Sequence, residues 1–137
     1  MANSTTIYRL QDGRNAIDVT ENKTLDEEAI GVVQVVKSDS IVLTLPATVV
    51  GYAYTIMNGG VPKTGSTFGS GDNKSVLVAV SPNASDKIAG LGFTAENNKD
   101  ILNTKATARV GDEVSIIGDG VNGWMVTKAK GIWAREA

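Results

Sequence analysis

Short runs of β-branched residues, each stopped within a few positions by Gly, Pro, Asn or Asp, limit what this chain can fold into more than any other feature. Residues 31–36 (GVVQVV) form the first run, and 37–40 (KSDS) read as its turn. Residues 41–45 (IVLTL) follow and stop at Pro46, whose missing N–H cannot continue a central ladder. In that strand Ile41, Leu43 and Leu45 share one face, and Val42 and Thr44 the other. Residues 52–57 (YAYTIM) end at Asn58, Gly59 and Gly60, and strand periodicity puts Tyr52, Tyr54 and Ile56 on one face. Residues 75–80 (SVLVAV) read as a buried strand closed by Ser81, Pro82 and Asn83. In the last third, 105–110 (KATARV) lead to a turn at Gly111 and Asp112. Residues 113–118 (EVSIIG) and 124–127 (WMVT) pair as a hairpin across 119–123 (DGVNG), and 131–134 (GIWA) close the chain. Turns at intervals of roughly 8–12 residues predict an all-β fold, a small antiparallel β-sandwich or barrel-like domain.

Helix signals are few. Residues 24–28 (TLDEE) read as a single turn with Thr24 as N-cap and acidic side chains at its positive end, and 94–98 (TAENN) as another. Residues 1–20 are polar and aperiodic and read as an extended N-terminal arm, which leaves 21–137 as a single β-rich domain. The Gly/Ser-rich stretch 63–74 (KTGSTFGSGDNK) reads as an exposed loop.

Composition removes whole classes of function. The 137 residues contain no Cys, which excludes disulfides and thiolate metal sites, and no His, the usual general base and commonest metal ligand. The 13 Lys and Arg nearly balance the 15 Asp and Glu, so neither nucleic acid nor an anionic membrane is an expected partner. No stretch approaches the roughly 20 apolar residues of a membrane helix, and the start MANSTTIYRL has no signal-peptide pattern. The chain is expected to be made in a cytoplasm.

Each group that could carry chemistry has a plainer reading beside it. Asp112, Glu113 and Asp119 raise a hydrolytic pair or a Ca²⁺ loop, but residues 118–123 lack the closing bidentate Glu, and Asp-Gly and Asn-Gly are what a tight turn requires. The triplet Asp26, Glu27, Glu28 reads as a helix start before it reads as a cation site. Residues 65–71 (GSTFGSG) lack the lysine placement and the strand–loop–helix context of a phosphate cradle. Phe68 within them reads equally as a partner anchor or as a side chain folded back on its own domain. Trp124 and Trp133 could form a sugar platform with Tyr52, or pack in the core or a subunit interface. In the arm, Tyr8 and Arg9 flanked by Thr6, Ile7 and Leu10 have the composition of an interface anchor, against the plainer reading that Tyr8 covers its own core. No catalytic residue and no cofactor is expected. The chain reads as a binding module, not an enzyme.

Four fragments taken in order, 41–47 (IVLTLPA), 54–58 (YTIMN), 80–88 (VSPNASDKI) and 118–124 (GDGVNGW), resemble a β-domain of tailed-bacteriophage structural proteins. It occurs in tail fibres and, as a stand-alone short chain, in capsid decoration (cement) proteins. The segments 92–101 (GFTAENNKDI) and 131–137 (GIWAREA) favour the short, head-associated version. The resemblance runs from Gly31 to Ala134 and stops short of the arm. It implies a β-tulip type of domain and a homotrimer seated on the outer surface of the virion against the major capsid protein. Capsid contacts would come from Thr6, Ile7, Tyr8, Arg9, Leu10 and Phe68, and subunit contacts from Trp124 and Trp133. A receptor- or carbohydrate-binding module of a tail fibre or tail tip is the alternative it leaves.

Overall fold

The computed structural model describes residues 3–60, 78–104 and 107–137. Its strands are β1 (Tyr8–Arg9), β2 (Asn15–Val19), β3 (Lys23–Thr24), β4 (Val32–Val36), β5 (Ile41–Thr44), β6 (Ala53–Asn58), β7 (Val78–Ser81), β8 (Lys87–Ala89), β9 (Ile101–Asn103), β10 (Glu113–Gly118), β11 (Gly123–Lys130) and β12 (Ala134–Arg135). One 3₁₀ turn, Glu27–Ala29, lies between β3 and β4. The strands form two packed sheets, ordered β1-β2-β4-β6-β10-β11-β8 and β12-β9-β7-β5-β3. The predicted all-β sandwich is the observed fold.

The predicted antiparallel arrangement gives way to mixed sheets. From β2 to β7 each strand joins the sheet opposite to that of the strand before it. Same-sheet neighbours are therefore reached by a full crossing and return in the same direction, so β2/β4, β4/β6, β3/β5 and β5/β7 are parallel. The turn at 37–40 does not close a hairpin; it carries the chain from one sheet to the other. β4 runs through the middle of its sheet, and four of its five residues are buried. That is why apolar residues fall on both of its faces, with Gln34 the one polar residue, instead of alternating with exposed polar ones.

Between the sheets lies the main core, built on Leu25, Leu43, Leu45, Tyr54, Ile56, Val80, Ile101, Ile116 and Trp124. On the outer face of the larger sheet a smaller cluster joins Ala16, Val33 and Val35, flanked by Leu10 and Met57. At some 25 cal/mol per Å² of apolar surface, each large side chain in these clusters contributes roughly 1.5–3 kcal/mol to burial.

Three local expectations change. The stretch read as an arm supplies β1 and β2, and Ala16, Ile17 and Val19 are buried. Its pattern looked aperiodic because only five residues, pinned by parallel pairing to β4, carry the strand. The 3₁₀ turn is capped by Asp26, whose Oδ1 accepts from Glu28 N at 3.0 Å. Thr24 cannot cap it because it is paired with Thr44 in the β3/β5 ladder. Residues 94–98 form no helical turn; Asn97 bridges to Lys87, and Asn98 takes a left-handed φ of 53°.

Candidate functional site: a cleft beneath the N-terminal segment

The segment before β1 is tied down by one side chain. Asn3 Oδ1 accepts from the backbone N–H of Thr20 at 2.7 Å and of Glu21 at 2.9 Å, and Asn3 Nδ2 donates to Glu21 O at 3.2 Å. Held there, residues 3–7 form one wall of a cleft of about 300 Å³, with the 3₁₀ turn and the start of β4 opposite. Ile7, Ile17, Ala29 and Val32 supply its apolar lining, and Lys23, Asp26, Glu28 and Gln34 its polar groups. Gln34 is fully buried; its Oε1 accepts from Lys23 Nζ at 2.7 Å and its Nε2 donates to Val32 O at 2.9 Å. Burial pushes the Lys23 amine down, against a smaller opposing pull from Asp26.

Of the five residues expected to make contacts from this region, Thr6, Ile7, Tyr8 and Arg9 are exposed. Ile7 keeps 54% of its surface and Tyr8 38%. Tyr8 Oη donates to Asp18 Oδ1 at 2.6 Å, which fixes the ring, and burial together with Asp18 pushes the phenol up to about 12. Leu10 turns inward onto the smaller cluster. Phe68 and the 63–74 stretch lie outside the described residues.

Both tryptophans are inside the subunit, which corrects their assignment to a subunit interface. Trp124 is 2% exposed and tilts against Tyr54 with ring centroids 5.5 Å apart. Trp133 is 7% exposed and donates from Nε1 to Lys130 O at 3.0 Å. Neither presents a ring face for a sugar. The Tyr52 hydroxyl is engaged with Glu27 Oε1 at 2.9 Å. The alternation of β11 placed Trp124 on the inner face, and the hairpin register Gly118↔Trp124 sets its depth.

The carboxylates weighed for chemistry are held by the fold. Asp119 Oδ1 accepts backbone N–H groups from Val121, Asn122 and Gly123 at 2.8, 2.7 and 3.0 Å, the turn role read from the sequence. Asp112 and Glu113 are buried, which was not foreseen. Asp112 Oδ2 accepts from Asn103 Nδ2 and Arg109 N, both at 2.9 Å, and Glu113 Oε1 from Arg14 Nη1 at 3.0 Å. Among the described residues no group of three Asp, Glu, His or Cys side chains is placed to hold a metal ion, and no helix is long and apolar enough to cross a membrane.

Sequence reasoning missed Lys23 and Gln34, although a glutamine inside VVQVV was a usable signal of a buried polar contact. It also missed Val49, Val50 and Val121, three exposed valines near the tip of the β10–β11 hairpin. An all-β sandwich with a small cleft under a pinned N-terminal segment is the class that fold and site define. Set against family models, curated proteins and solved structures, the chain matches none of them.

Proposed function

We propose that the chain is a structural virion protein that seats on the outer surface of a phage capsid as a homotrimer and stabilises the head. The observation that carries this reading is the pair Ile7 and Tyr8, exposed on and beside the edge strand β1 and backed by ordered structure on the other side. Apolar and aromatic groups held outward on a rigid element are the usual anchors of a protein interface. The carboxylates that could have served a hydrolase are spent on turns and buried contacts, and the chain has no His or Cys to replace them. The ordered fragments that resemble phage decoration proteins supply the choice of partner, the major capsid protein. Three modest footprints on one rigid trimer gain avidity, and a protein that binds assembled shell but not free subunits stabilises the shell by linkage.

Light scattering on the purified protein, followed by binding to undecorated heads, tests the reading. A trimeric mass, saturable binding and a raised melting temperature of the heads are expected. The double variant I7D/Y8A, with β-sheet circular dichroism unchanged, should lose head binding. A monomer with no affinity for shells would overturn the proposal.

A further inference from the structure

Four strands at or near sheet edges are very short: β1, β3 and β12 have two residues each and β8 has three. Each also carries a cation, Arg9, Lys23, Arg135 and Lys87 respectively. Short, charged edges are the usual protection against unwanted strand pairing. β11 breaks this pattern. It is eight residues long and pairs with β10 from Trp124 to Lys130, with Thr127 bulged out of the register. Among the described residues, however, β8 covers its other side only at Gly123–Met125. Gly90 then abuts Val126, where an added Cβ would lie 3.0 Å from the Val126 Cβ. Beyond that point no described strand pairs with the outer side of residues 127–130, and all four are exposed.

The side chains on this edge have one sign. A register shift between Ser115 and Ile116 puts Lys128 opposite Ser115, Ala129 opposite Val114 and Lys130 opposite Glu113. Val114 belongs to the inner core, so Ala129 faces inward while Lys128 and Lys130 project together from the outer face. The carboxylate directly across the ladder from Lys130, Glu113, is engaged with Arg14. Among the described residues neither lysine has an ion-pair partner, in a chain whose net charge is -2.

We propose that the β11 edge at residues 127–130 is a strand-addition site for an extended, acidic segment of another protein. Backbone N–H and C=O groups of the edge, apart from the Lys130 carbonyl that Trp133 Nε1 already holds, would bond the incoming strand, and acidic side chains at alternate positions would meet Lys128 and Lys130. The same two lysines make a second copy of this chain a poor occupant, because pairing two β11 edges brings like charges together. This inference stands apart from the capsid reading; it concerns a different face from Ile7 and Tyr8 and holds whatever the partner is.

The probe is a short capped peptide alternating Glu with Val or Thr, followed by fluorescence anisotropy and amide NMR on the full chain. Expected results are binding that weakens with salt, and shifts centred on residues 127–130. Two further peptides, N-methylated at alternate amides along one edge or the other, separate strand addition from charge attraction. One of them should lose binding and the other keep it. The variant K128E/K130E should bind the acidic peptide roughly tenfold more weakly and prefer a Lys-bearing counterpart. Equal binding of both methylated peptides, shifts centred on the N-terminal cleft, no binding, or self-association through this edge would each overturn the proposal.

Discussion

Asn58 at the end of β6 donates from Nδ2 to the Oδ1 of Asn103 at the end of β9, a fully buried 2.8 Å hydrogen bond that joins the two sheets. The contact continues on both sides. Asn103 Nδ2 donates to Asp112 Oδ2 and to Ile132 O, and Asn58 Oδ1 accepts from Gly60 N. Each polar group is tolerable in the interior because the next one satisfies it.

Asn103→Ala is therefore expected to destabilise the protein by about 3 kcal/mol, because it removes partners from Asn58 and from the buried Asp112 carboxylate. Urea denaturation of the variant beside wild type measures it. A loss no greater than that of an ordinary exposed substitution would show that the network contributes nothing.

Arg14 supplies a second long-range tie. From the β1–β2 turn its Nη1 reaches Glu113 Oε1 on β10 at 3.0 Å, and its Nε reaches Asp12 Oδ2 at 2.9 Å. Glu113 is buried but the Arg14 side chain is 38% exposed, so solvent screens the pair. Arg14→Ala should cost about 1–2 kcal/mol, more than a surface ion pair and less than a fully buried one. Hydrogen exchange should show the loss concentrated in β1 and β2. Uniform weakening across both sheets would contradict the role of Arg14 as the clasp of the N-terminal strands.

The residues themselves explain which parts of this structure could be read in advance. β5, β6, β10 and the β10–β11 hairpin are visible in the sequence because apolar periodicity and Asp-Gly or Asn-Gly turns act within a few positions. Strand direction was not visible. It depends on whether a turn such as 37–40 stays in its sheet or crosses, and no local residue signals that choice. β2 was hidden because its partner, β4, lies 17 residues further along in register. At the candidate site Ile7 and Tyr8 were found by composition, but the cleft needs Lys23, Ala29 and Gln34, which only tertiary packing brings to Ile7.

The positions of the tryptophans give a spectroscopic prediction. With Trp124 and Trp133 buried, native emission should be blue-shifted and resist acrylamide, and should change little when the protein binds a partner or self-associates. Unfolding in guanidinium should shift it to the red in one transition. A quencher-accessible native spectrum, or a large shift on oligomerisation, would return the tryptophans to an interface.

Asp119 predicts how the hairpin responds to acid. Backbone N–H groups from Gly123, Val121 and Asn122 hold its carboxyl down at about 2, against an ordinary value near 3.8. The folded state therefore binds its proton less readily than the unfolded chain does. Its stabilising contribution is complete above about pH 4 and is lost as pH falls towards 2. Asp119→Asn keeps an acceptor at Oδ1 for the same N–H groups but removes the charge, so its stability should fall less than that of wild type on moving from neutral pH to about pH 2.5. Other carboxylates, Asp12 among them, titrate in both proteins and cancel in the comparison. Melting temperatures of the two proteins at the two pH values decide it. An equal drop would mean that the turn does not discriminate between the charged and neutral side chain.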